Sequence, residues 1–150
     1  MTERDELLER AFAEIQGRWR EVMRAHRLAP PDAGFSARLA ELAAVAREEA
    51  RICREAAEHG YSWPPHTSNE KPPYELRPGT GRRGPEALWQ RFDEAVAELS
   101  RASGGTDLVE VANAHELLAD AAGALAAEVE RQDRASGLLP QTADRARRSA

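Results

Sequence analysis

At 150 residues the chain has room for one domain with one hydrophobic core. Its net charge of −5 and pI near 5.5 argue against a broad basic face for nucleic acid. One cysteine excludes an internal disulfide framework, and no run approaches the roughly 20 apolar residues of a membrane-spanning helix.

Hydrophobic residues make up 41% of the chain, but 29 of them are alanine. Leu, Ile, Val and Phe together number only 25. Alanine is the best helix former, so the composition predicts a helical protein with a thin core. Self-association suits such a core, because a partner supplies extra burial. Twenty of the 21 basic residues are arginine, Lys71 being the exception, which points to a GC-rich genome. The first thirty residues alternate charged with apolar side chains, which predicts no signal peptide and a cytoplasmic location.

The first helix is expected from about Glu3 to Leu28. Leu8, Phe12, Ile15, Trp19, Val22 and His26 recur at alternating spacings of 4 and 3 and form one seam. Thr2 offers a cap, Asp5 and Glu6 suit the positive end of the helix dipole, and Pro30-Pro31 stop the helix. The second runs from Phe35 or Ser36 to His59, with Gly60 as its terminating glycine. Its apolar set is Phe35, Leu39, Leu42, Val45, Ile52 and Ala56. Glu49 interrupts that seam, which predicts exposure on one flank near the middle of the helix.

Residues 60–84 hold five prolines and four glycines, a composition that forbids a regular helix or a central strand. A segment of this length is expected to be functional, disordered or packed as an arm. The third helix opens at Pro85 and shows Leu88, Phe92, Val96 and Leu99 on one face, with Trp89 beside them. Gly104-Gly105 end it. Thr106 or Asp107 caps the fourth, which runs to about Arg134. Its seam of Leu108, Val111, His115, Leu118, Ala122, Leu125 and Val129 alternates 3 and 4 without a break. Residues 131–150 carry +3, against −8 for the rest of the chain.

Short connections join helices one and two and helices three and four, so each pair should be an antiparallel hairpin. The expected fold is all-α, a four-helix bundle made of two antiparallel helical hairpins joined by a long Pro/Gly-rich loop. The bundle domain covers residues 1–134, with the 60–84 arm inside it, and residues 135–150 are a flexible basic tail.

Chemistry-bearing patterns are sparse. Gly79-Thr80-Gly81-Arg82-Arg83-Gly84 fits G-x-G-x-x-G, but Lys71 to Pro78 is not the buried strand a dinucleotide fold needs before it. What remains is a glycine-rich turn before a helix N-terminus, with Arg77, Arg82 and Arg83 as cations for a small anion; the competing reading is a solvated turn. No two of His26, His59, His66 and His115 lie three or four apart on one helix. Ala119 stands where His-Glu-x-x-His needs its second histidine, so no metal site is assigned. His26 and His115 are expected to be hydrogen-bonded seam histidines, and a buried neutral histidine can act as a pH-sensitive element. Cys53, between Ile52 and Arg54, reads as a small buried thiol. Catalytic residues and cofactors are therefore assigned as none.

The arm carries Tyr61, Trp63 and Tyr74 among its prolines. Aromatics in a loop either tuck onto the body or meet a partner. The sequence thus predicts a non-enzymatic interaction or regulatory bundle that acts through protein–protein contacts, homodimerisation included. The alternative is a bundle that binds a small ligand or anion, phosphate or nucleotide, with Tyr61, Trp63, Tyr74, Arg77, Arg82 and Arg83 as the contacting residues.

Overall fold

A computed structural model of the chain describes residues 3–28, 34–60, 84–105 and 107–139, without the side chains of residues 4, 5 and 25–28. Four helices account for nearly all of them: α1 (Glu3–Leu28), α2 (Phe35–Glu58), α3 (Glu86–Ser103) and α4 (Leu108–Ala135). They form an all-α bundle with antiparallel packing. α2 and α4 share the most extensive contact, α1 packs on α2, and α3 packs on α4.

Local chemistry explains the helix ends. Asp107 caps α4: its carboxylate accepts from the backbone N–H groups of Val109 at 3.0 Å and Glu110 at 3.4 Å. Of the two predicted caps, Thr106 lies outside the described residues. Gly60 follows α2 at φ +76°, a left-handed conformation that glycine adopts without steric cost. Pro85 is extended and precedes the first turn of α3, whose missing donor costs the helix nothing.

Gly84 is under a double constraint. Its φ is +110°, and a Cβ placed there would meet Leu125 Cδ1 at 3.1 Å and Val129 Cγ2 at 3.2 Å. The last glycine of the Gly79–Gly84 run therefore seats the chain against α4. Gly79 to Arg83 lie outside the described residues.

Cross-helix contacts fix the directions. Ala43 faces Gly123, Arg47 meets Asp120, and Glu49 meets His115, so α4 numbers fall as α2 numbers rise. α2 and α4 are antiparallel. Phe35 and Trp89, both in the first turn of their helices, stack with ring centroids 6.1 Å apart. α2 and α3 therefore start at the same end and run parallel. The C-terminus of α2 and the N-terminus of α3 lie at opposite ends of the bundle, about 36 Å apart for a 24-residue helix.

Alanine sets the intimacy of the central pair. Ala43, Ala46, Ala50 and Ala56 of α2 are buried, as are Ala112, Ala119, Ala122 and Ala126 of α4. A Cβ on Gly123 would stand 4.0 Å from that of Ala43, the separation of side chains in direct contact. Around this narrow seam the large side chains Trp19, Met23, Leu39, Leu42, Trp89, Phe92, Leu118 and Leu125 complete one continuous core. The predicted seam of α4 is buried throughout. In α1, Leu8, Ile15, Trp19 and Val22 are buried and Phe12 is half-buried; the His26 side chain lies outside the described residues. Trp89 is itself fully enclosed in the core.

One expectation fails. Glu49 does not open a flank of α2 to solvent; its side chain is fully enclosed. The partner that makes this burial tolerable stands on α4.

Candidate functional site: a buried Glu49–His115 pair

A carboxylate inside an alanine-rich core is costly unless a hydrogen-bonding or charged group faces it. For Glu49 that group is His115. Nε2 of His115 lies 3.1 Å from Oε2 of Glu49, and both side chains are 0% exposed. Each comes from a seam position, α2 supplying the acid and α4 the ring. The antiparallel register of the two helices brings them level.

The other ring nitrogen fixes the geometry. Nδ1 of His115 stands 2.8 Å from the carbonyl oxygen of Val111, one turn back along α4. A carbonyl only accepts, so Nδ1 carries a hydrogen and donates it. Nε2 is thereby left to face the carboxylate.

α1 closes the pair from a third side. The indole of Trp19 meets the imidazole edge-on, with centroids 5.9 Å apart and planes at 75°. Cys53 lies one helical turn beyond Glu49 and is also buried. Burial, and after it the Glu49 charge, push its thiol from 9 up to about 12. It is a neutral packing group at ordinary pH, not a nucleophile.

Above the pair, charged groups tie α2 to α4 at the surface. Arg54 donates through Nε to Glu116 Oε1 at 3.1 Å and approaches Glu116 Oε2 through Nη2 at 2.7 Å. Its Nη2 also donates to Asn113 Oδ1 at 2.8 Å. The hydrogen bond from Arg54 holds the Glu116 carboxyl below its usual range. Arg47 meets Asp120 at 3.3 Å. Ion pairs exposed to this degree are worth about 0–1 kcal/mol each, so they align the helices more than they hold them.

Tyr61, Trp63, Tyr74, Arg77, Arg82 and Arg83, the predicted contact residues, all lie outside the described residues. Among the described residues, no three of His, Cys, Asp or Glu are grouped to hold a metal ion. His115 was legible as a seam histidine in need of a hydrogen bond. Glu49 was visible only as a break in a seam. The signal that links them is that two helices of one bundle each place one ionisable residue on an apolar stripe. No helix of the structure is long and apolar enough to cross a membrane, among the described residues. No family model matches the chain, and no curated protein or solved structure matches it either.

Proposed function

We propose that the protein is a non-enzymatic interaction or regulatory module that works through protein–protein contacts, with a second copy of the chain among its partners. The observation that carries this reading is the enclosure of its reactive side chains. Glu49 and His115 are sealed between α1, α2 and α4, and the Cys53 thiol is buried and held neutral. Their chemistry is spent on joining helices. The described exterior is helix surface: local Arg–Glu pairs such as Arg51–Glu48 and Arg131–Glu128, and the exposed apolar side chains of Leu7, Val109 and Leu117. Such faces are suited to holding another protein, not to turning over a substrate.

Sedimentation velocity over a wide concentration range tests the self-association arm, and cross-linking in an extract of the native host tests the other. The expected result is a concentration-dependent rise in mass or one discrete adduct. A chain that stays monomeric throughout and yields no adduct refutes the reading.

A further inference from the structure

We infer that the solvent face of α1 is an isologous docking surface for α1 of a second copy of the chain, with the two helices antiparallel. This rests on the self-association arm of the proposed function and assigns it a surface and an orientation. α1 turns Leu8, Ile15, Trp19, Val22 and Met23 inward. On its opposite side Glu6, Arg10, Ala13, Gly17, Arg20 and Arg24 recur at alternating spacings of 4 and 3, so they form a second line along the helix. All of them except Gly17 are exposed, and so are Glu9 and Glu21 on the two flanks of that line. Glu9 and Arg20 are separated by eleven residues, close to three helical turns, and therefore share one flank; Arg10 and Glu21 share the other in the same way.

The charges select both the partner and the direction. A two-fold axis at the level of Ile15 sets Ala13 opposite Gly17 of the second copy and Glu6 opposite Arg24 of the second copy. In an antiparallel pair related by such an axis, each flank faces the same flank of the other helix. Glu9 then meets Arg20 of the second copy, and Arg10 meets Glu21 of the second copy, each within about one residue's rise of level. By symmetry every pairing occurs twice. A parallel pair would instead set Glu6 on Glu6, Arg20 on Arg20 and Arg24 on Arg24, which repel. Exposed ion pairs add little strength, so their part is to fix orientation and register.

Close contact comes from the middle of the face. Glycine is, after proline, the least favourable residue inside a helix. The backbone of Gly17 does not call for it, since φ is positive only at Gly60, Gly84 and Gly137 among the described residues. Packing does not call for it either: a Cβ placed on Gly17 meets nothing within 4 Å among the described residues. What the missing side chain permits is the approach of a second backbone from outside, with the small Ala13 one turn away. The acidic and basic halves of α1 then close around that point.

Sedimentation velocity of the full chain over a wide concentration range, at low and at high salt, is the test. Wild-type association should weaken at high salt. Gly17→Gln puts a longer, helix-favouring side chain on the face. Its fold, followed by urea denaturation of dilute protein, should be at least as stable as that of the wild type. Its association constant should fall by about tenfold or more. Arg20→Glu sets like charges opposite each other and should weaken association to a similar degree. Adding Glu9→Arg to Arg20→Glu reverses both members of the pair and should recover association, which a parallel or unrelated interface does not allow. An unchanged constant in Gly17→Gln and Arg20→Glu overturns the proposal and leaves self-association standing on another face. A double variant no better than Arg20→Glu overturns the antiparallel pairing. A wild type that is monomeric throughout overturns both the proposal and the self-association arm of the proposed function.

Discussion

Removing the ring while leaving the acid is the sharpest perturbation of this core. His115→Leu leaves Glu49 enclosed without its imidazole. The gross attraction of two unit charges 3.1 Å apart is about 5 kcal/mol at an effective dielectric of about 20, against a desolvation cost of several kcal/mol per ion. The pair is thus close to balanced against an apolar core, but breaking it is not. His115→Leu should cost about 3–5 kcal/mol. Glu49→Met with His115→Leu should cost far less and can even stabilise, because neither charge nor lone pair remains to be desolvated. The cycle is completed by Glu49→Met alone, with stabilities from urea denaturation at one pH and the slopes checked for two-state behaviour. The expected coupling energy is at least about 2 kcal/mol. If the two single changes simply add in the double variant, the side chains do not act as a pair and the account of the site is wrong.

Three further outcomes follow from the packing. Leu118 is fully buried in the α4 seam, so Leu118→Ala should cost about 2–5 kcal/mol in chemical denaturation; a variant that melts like the wild type would place the seam elsewhere. Gly84→Ala forces a side chain into left-handed backbone and onto Leu125 and Val129, so a loss of roughly 1–3 kcal/mol is expected by the same assay. Cys53 should resist a thiol reagent at pH 8 until the chain is unfolded. Its folded thiol keeps a proton that the unfolded thiol releases above about 9, so this contribution to stability is intact below pH 9 and disappears as pH approaches 12. The loss amounts to about 1.4 kcal/mol per pH unit, and Cys53→Ala should lack that slope.

The helices were legible because their signals are local. Asp107 caps through its own neighbours, Gly60 adopts the φ that ends a helix, and the spacing of Leu108, Val111, Leu118, Leu125 and Val129 is a property of one segment. The hairpin expectation used connection length, which is also local. The α2–α4 contact has no such marker. It joins residues about sixty to eighty positions apart, as in Arg54–Asn113 and Ala43–Gly123, and the short connections name α1–α2 and α3–α4 instead. Without that contact, Glu49 has no visible partner, and an acid on an apolar stripe is naturally assigned to solvent. The error over Glu49 and the failure to pair it with His115 are therefore one error. The predicted contact residues of the arm, Tyr61 to Arg83, lie where no structural statement is made.

The alanine excess takes on a different meaning once α2 and α4 are seen together. In the composition it reads as a shortage of large apolar side chains and hence as a thin core. In the structure Ala43, Ala46, Ala50, Ala119 and Ala122 are what allow two backbones to close on each other. Close approach has two consequences. It excludes water along the seam, which raises the cost of any polar group there. It also shortens the reach between facing side chains, so a glutamate and a histidine on opposite helices meet at 3.1 Å without an intervening solvent molecule being needed. Larger residues at the same positions would supply more apolar area but hold the helices further apart, leaving the acid and the ring to be satisfied by water. The small residues and the buried pair therefore form one arrangement: the alanines make the seam narrow, and the narrow seam requires that its two ionisable side chains answer each other.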